Sequence, residues 1–280
     1  MKIPLVAILL LLVVPTPAWA GDLKGIKGTD DRITVTASEY PWSAVGRVNN
    51  GQGGYCSGVL IGPRLVATAA HCLWNRKTRR PMPESALRFV AGWERGSYLG
   101  ASEVTRAVLA PDWRFGEKYD PAHAAHDWAL LELSEPLGET VGWLALADGR
   151  SGAEYVTTVG YGQDRKHVPT AHIGCRLLGV LAQGLLTHDC DAVHGDSGAP
   201  VMIWRDGAPL VTAIHVATLS QSSGRTVGGA VDIARLKTTA DRMGAKTPGH
   251  TGRLSKPLNR AVKTLVEKMR NVHATSRPHG

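Results

Sequence analysis

Phenylalanine is almost missing from this chain of 280 residues, which has two, and cysteine occurs four times. Four cysteines are too few to staple a disulfide-built miniprotein, although an even number allows one or two bridges. Long apolar runs are also wanting: the stretch Ile3–Val14 falls short of the ~20 residues that a membrane-spanning helix needs. No long segment shows sustained helical periodicity, which excludes a coiled coil. Nor does the body carry an excess of either charge, since residues 21–244 hold 23 basic and 23 acidic side chains. The net charge of +8 is therefore not the footprint of a nucleic-acid-binding fold. What is present is 43% apolar residues, with eight Trp and six Tyr supplying bulk. That is enough for one large domain or two small ones with a packed core, and it excludes a disordered chain.

The two ends differ from the body. Lys2, the apolar run and the small-x-small sequence Ala18-Trp19-Ala20 form the n-region, h-region and cleavage site of a secretory signal. Residues 1–20 are expected to be removed, leaving a secreted or periplasmic chain from Gly21 in a compartment where disulfides persist. Residues 245–280 hold eight basic side chains and one acid, Glu267. Within them Leu258, Val262, Leu265, Met269 and Val272 recur at helical spacing. An amphipathic helix over 256–272 is expected, either as a solvated tail with a weakly docked stripe or as a contact to an anionic membrane or envelope surface.

Between the ends, residues 21–244 read as one domain of short apolar segments punctuated by Gly, Pro and Asp. Examples are Ala44–Val48, Gly58–Ile61, Leu65–Ala69, Leu87–Ala91, Val104–Ala110, Trp128–Leu133, Val156–Tyr161, Pro200–Trp204 and Leu210–Val216. Many short strands predict an antiparallel all-β fold, either two six-stranded barrels or one large sandwich. A helix over Val231–Met243 closes the domain.

Three strings have chemical potential: Thr68-Ala69-Ala70-His71-Cys72, His126-Asp127-Trp128 and Gly195-Asp196-Ser197-Gly198. A hydroxyl becomes a nucleophile when an imidazole removes its proton, and a buried carboxylate fixes that imidazole's tautomer and stabilises its charged form. Ser197, His71 and Asp127 supply the three groups. Glycines beside the serine let the backbone N–H groups of Gly195 and Ser197 face a developing oxyanion. Each string alone is ordinary, because a lone His is commonly core, an Asp opening a strand is commonly a cap, and Gly-Asp-Ser-Gly is commonly a turn. Their order, in a strand-rich exported chain, makes the combination informative.

On these strings, from about Asp31 to Met243, the chain resembles chymotrypsin-type serine peptidases. Asp30-Asp31-Arg32, Tyr40-Pro41-Trp42-Ser43 and His188-Asp189-Cys190-Asp191 resemble the bacterial glutamyl-endopeptidase-like branch. The resemblance implies two six-stranded antiparallel β-barrels with the active site between them, a C-terminal helix and a basic tail. It implies His71 as general base, Asp127 as its orienting partner, Ser197 as nucleophile, and disulfides Cys56–Cys72 and Cys175–Cys190. The implied function is a monomeric exported endopeptidase acting on protein or peptide substrates, without metal or organic cofactor and without a nucleic-acid partner. The competing class is a catalytically weak or inactive binding module, although no triad residue is missing. An α/β-hydrolase is disfavoured because Gly-x-Ser-x-Gly fails at Ala199. A metal cluster of His188, Cys190, Asp191 and His194 is set aside because export directs Cys190 toward a disulfide.

Two matters stay open in the sequence. Asp191 stands six residues before Ser197, where an acid would favour basic substrate side chains, whereas His215 resembles the histidine with which glutamyl endopeptidases bind acidic ones. Both could equally be structural. The Arg32–Ile33 bond is the expected cleavage point if an N-terminal ammonium must be freed to pair with Asp196.

Overall fold

The computed structural model describes residues 23–117, 120–148, 155–181, 184–221, 223–245, 256–260, 262–264 and 267. The expected signal segment, residues 1–20, lies outside them. Among the described residues sixteen strands run in order: β1 (Ile33–Thr34), β2 (Val45–Asn50), β3 (Tyr55–Leu60), β4 (Leu65–Thr68), β5 (Trp74–Asn75), β6 (Arg80–Pro81), β7 (Leu87–Ala91) and β8 (Gly100–Leu109). They continue as β9 (Ala129–Leu133), β10 (Ala145–Leu146), β11 (Tyr155–Gly160), β12 (Thr170–Val180), β13 (Leu185–His188), β14 (Pro200–Arg205), β15 (Ala208–Ser220) and β16 (Thr226–Asp232). Among the described residues, three short α-helices, α1 (Pro121–Ala124), α2 (Leu137–Val141) and α3 (Ala234–Arg242), and four 3-10 turns accompany the strands.

The strands form two barrels. In the first, β2-β3-β4-β9-β8-β7 close through the β2–β7 pairing. In the second, β12-β11-β14-β15-β16-β13 close through the β12–β13 pairing, with β1 added outside β12. All twelve barrel strands pair antiparallel with their neighbours. Closure leaves each barrel without a free sheet edge, and register is fixed by which face each side chain buries.

A continuous cluster of buried apolar side chains, from Trp42, Phe89 and Leu130 to Tyr161, Ile214 and Leu236, runs through both barrels. Each large side chain taken fully out of water contributes about 1.5–3 kcal/mol. Cys56 is bonded to Cys72 in the first barrel and Cys175 to Cys190 in the second. Closing loops of 16 and 15 residues is worth about 3 kcal/mol each in chain entropy.

The closing helix is shorter than the sequence predicts. Val231 and Asp232 remain in β16, where they pair with Ile214 and Ala213, and the helix starts only at Ala234, whose N–H the Asp232 carboxylate accepts at 2.9 Å. Of the basic tail, Leu258 and Val262 are buried in the main core cluster, and Val262 donates its N–H to Asn259 Oδ1 at 2.8 Å. Lys256 reaches the Thr140 carbonyl in α2. These two stripe residues are docked on the protein. Leu265, Met269 and Val272 lie outside the described residues.

Candidate active site

His71 sits in a single 3-10 turn, Ala70–Leu73, that leaves β4 across from β9. Asp127 follows α1, whose first turn is capped by the Asp120 side chain accepting from the His123 N–H at 2.9 Å. The chain turns once more through Asp127 N–H to Ala124 C=O before entering β9. Both residues therefore come from the first barrel. Asp127 is fully buried and holds His71 twice, accepting from its backbone N–H at 2.8 Å and from ring Nδ1 at 2.6 Å. A carboxylate on Nδ1 places the ring proton there and leaves Nε2 as the basic nitrogen.

Ser197 belongs to the second barrel, on the turn from Gly195 into β14. Gly198, at φ +85°, is obligatory: a Cβ there would lie 2.1 Å from the Ser57 carbonyl and 2.2 Å from Thr68 Oγ1. This close approach locks the Ser197 turn onto β3 and β4. The Ser197 carbonyl accepts from the Ser57 N–H at 2.8 Å and lies 4.0 Å from Cys72 Sγ, beside the histidine turn. The structure thus brings the turns of His71, Asp127 and Ser197 together at the junction of the barrels.

Asp196 points inward. Its Oδ2 accepts from the Val193 N–H at 2.8 Å, while Oδ1 has no hydrogen-bond partner among the described residues. Burial pushes its carboxyl up to about 7. The Arg32–Ile33 bond, the cleavage point expected if an N-terminal ammonium must be freed, lies in a held segment. The Arg32 side chain is buried and ion-paired to Asp30 at 2.9 Å and to Asp164 at 2.7 Å, and Ile33 is held in β1 against Ala171.

The two residues in question for substrate preference differ in their surroundings. Asp191 is buried and already occupied. Its Oδ1 accepts from the Lys27 N–H at 2.7 Å and its Oδ2 from the Asp31 N–H at 3.1 Å, with the His172 ring 3.3 Å away. Desolvation opposes its ionisation, yet His172 and those two amides hold the carboxyl below the usual range. Residues 23–31 form a strap that supplies these partners. Gly25, at φ +112°, accepts from the Ala192 N–H at 3.1 Å, and a Cβ on it would fall 1.9 Å from the Ala192 carbonyl. Burial also pushes the Lys27 ammonium down to about 8.

His215, on β15, is fully buried and linked through Nδ1 to His188 Nε2 at 3.0 Å. The tautomers follow from the chain of bonds. Cys190 donates its backbone N–H to His188 Nδ1 at 3.2 Å, so that nitrogen carries no proton. The His188 proton is on Nε2 and is donated to His215 Nδ1, which leaves the His215 proton on Nε2. Burial holds His188 well below the usual histidine range and lowers His215 to about 3, so both rings are neutral at neutral pH. Sequence reasoning places His188 in a family-like string and in a set of metal-type ligands, and gives its ring no partner. The structure separates that set: Cys190 is in its disulfide, His188 bonds His215, and His194 is exposed. The partnership of His188 with His215, 27 residues apart, had no local signal.

The description Trypsin matches residues 31–240, three quarters of the chain, around this geometry. The chain belongs to the trypsin family. Among curated proteins it is 31% identical over 186 residues to a glutamyl endopeptidase of Bacillus licheniformis, covering 64% of this chain and 55% of that one. It is 30% identical over 184 residues to coagulation factor XII of Cavia porcellus, covering 53% of this chain and 29% of that one. The chain therefore spans at most about half the length of these two relatives. A solved structure of Glu endopeptidase in complex with MPD superposes with a TM-score of 0.65 over 79% of this chain and 100% of that one, at 19% identity. This trypsin-family member shares its two-barrel fold with that neighbour.

Proposed function

We propose that the chain is an exported serine endopeptidase that cleaves protein or peptide substrates through an acyl-enzyme. The double grip of buried Asp127 on His71, opposite the Ser197 turn, is the observation that carries this reading. His71 Nε2 takes the Ser197 hydroxyl proton as Oγ bonds to the scissile carbonyl carbon. The N–H groups of Gly195 and Ser197 bind the resulting oxyanion. The imidazolium then protonates the leaving nitrogen, the C–N bond breaks, and water repeats the sequence on the ester to release the acid. The groups named are sufficient for this chemistry, so it requires no metal or organic cofactor.

For the substrate side chain, the reading is an acceptor, glutamate before glutamine. Asp191 stays ionised, but its lone pairs are engaged by the strap, so its charge is turned to the Lys27 and Asp31 N–H groups and not presented to a lysine or arginine side chain. His215 offers an Nε2–H donor whose tautomer is set by His188. The glutamyl specificity in the name of one relative agrees with this.

Export is supported by the signal-type sequence of residues 1–20 and by two disulfides, which persist in oxidising compartments. No helix among the described residues is long and apolar enough to cross a membrane. The docking of Leu258 and Val262 favours a tail that packs on its own barrel over one that inserts into lipid.

Labelling with a fluorophosphonate tests the central reading. Wild type should label stoichiometrically and Ser197→Ala should not. A folded wild type that neither labels nor cleaves a peptide library would overturn it in favour of a binding module.

A further inference from the structure

We infer that Ser57, on β3 of the first barrel, is a positioning residue that aims the Gly195 N–H at the oxyanion. The inference rests on the peptidase reading above, because it concerns the donors assigned there.

Two carbonyls flank the Gly195 N–H, and both are tied down. A trans peptide directs its C=O and N–H to opposite sides. The His194 carbonyl accepts from the Gln163 N–H at 2.7 Å, so the Gly195 N–H of the same peptide faces away from Gln163. The next carbonyl, that of Gly195, accepts from Ser57 Oγ at 2.9 Å. The direction of that bond is fixed, since Ser57 Oγ itself accepts the Tyr161 N–H at 2.9 Å and a hydroxyl has one proton to give. The backbone of Ser57 is equally committed. Its N–H holds the Ser197 carbonyl at 2.8 Å and its carbonyl accepts from Thr68 Oγ1 at 2.8 Å.

Ser57 is fully buried, so water does not compete for these bonds. One residue of the barrel that supplies His71 and Asp127 therefore grips the two residues of the other barrel that supply the oxyanion donors. Its side chain holds Gly195 and its main chain holds Ser197. Gly195 is at φ +103°, without a Cβ to restrict rotation of its peptides, so hydrogen bonds have to do so: Ser57 Oγ holds the carbonyl of the peptide after Gly195, and the Asp196 N–H holds the other side of that peptide through the Val193 carbonyl at 3.0 Å. Sequence reasoning passed over Ser57 because a serine after a cysteine in a strand carries no signal of its own.

Removing only the hydroxyl in Ser57→Ala frees the Gly195 carbonyl while leaving the backbone bonds of residue 57 in place. Because the oxyanion exists in the transition state and not in the bound substrate, the loss should fall on kcat. Loss of a whole oxyanion donor costs about 100- to 1000-fold, so loss of its alignment should cost about 10- to 100-fold. The test compares wild type, Ser57→Ala and Ser57→Thr by active-site titration, steady-state cleavage and inhibition by a peptide aldehyde, whose adduct has the tetrahedral oxyanion. Ser57→Ala should lower kcat by about 10- to 100-fold with KM within about twofold, and weaken the aldehyde by a similar factor. Ser57→Thr, which keeps the hydroxyl, should restore both.

An unchanged kcat in Ser57→Ala, or a fall in kcat with aldehyde affinity intact, would overturn the inference while leaving the peptidase reading in place. Should Ser57→Ala not fold, Ser57→Cys, with a weaker donor of similar shape, carries the same comparison. A wild type that neither labels nor cleaves would overturn the peptidase reading and this inference together.

Discussion

Replacing His188 by glutamine or phenylalanine probes the proposed substrate pocket most directly. In the native protein the His188 Nε2–H is spent on His215 Nδ1, so His215 has one tautomer, with its donor at Nε2. Phenylalanine removes the donor and leaves a buried ring nitrogen unsatisfied, at a cost of about 1–3 kcal/mol. His215 can ease that cost by moving its proton to Nδ1, where the phenylalanine ring face is a weak acceptor, but it then presents an acceptor to the substrate. A carboxylate facing that lone pair loses its bond, which for a charged acceptor is worth about 1.5–3 kcal/mol, or roughly 10- to 100-fold in kcat/KM. Glutamine at 188 retains a side-chain donor and should lose less.

The assay is hydrolysis of one peptide series varied only before the scissile bond, as Glu, Gln, Leu and Lys. Because His215 is neutral above about pH 4, Glu and Gln both find a donor, and native discrimination between them should be modest, about 5- to 30-fold. His188→Phe should lower Glu cleavage by about 10-fold or more while leaving Leu cleavage within about twofold. Equal loss on Glu and Leu substrates, or a native preference for Lys, would refute the argument.

Other consequences are open to measurement. In Gly25→Ala the added Cβ collides with the Ala192 carbonyl and lifts the strap, uncovering Asp191, so Lys cleavage should rise relative to Glu by about tenfold; an unchanged ratio would separate the strap from specificity. Asp196 titrates at about 7 folded against 3.8 unfolded, so between those values the folded state binds the extra proton. Its contribution to stability is thus present below about pH 4 and lost as pH rises toward 7, by at most roughly 4 kcal/mol. Denaturant unfolding across that range should show the slope in wild type and lack it in Asp196→Asn, and parallel curves would contradict the assignment. Val262→Ala should destabilise the protein by about 0.5–2.5 kcal/mol if the tail is docked as described, whereas an unchanged melting temperature would put the segment in solvent.

The strands that sequence reasoning located are those whose apolar residues run continuously between turn residues. Leu87–Ala91 coincides with β7, and Leu65–Ala69 and Trp128–Leu133 each differ from β4 and β9 by one residue. The barrel strands that it passed over, β12, β13 and β16, make one side of the second barrel. β12 contains Gly174, Arg176 and Gly179 and is largely exposed beyond Cys175, while β16 contains Gly228-Gly229. Such strands are held by their neighbours' hydrogen bonds and not by their own pattern, so composition hides them. The chemical groups were easier to see because each lies in a short string with few alternatives. Their partners were not: Asp191 draws on Lys27 from 164 positions away and Ser57 reaches Gly195 across 138. Contacts of that span are set by the closing of barrels, and no window of sequence contains both ends.

The division of the site between barrels has a bearing on how such a chain can be made safely. His71 and Asp127 come from the half synthesised first, and Ser197 from the half that follows. On the proposed mechanism, a chain with only its leading half folded holds a proton acceptor with no alcohol to activate. Hydrolytic competence then arises only once the halves dock, and neighbouring chains are spared until that moment.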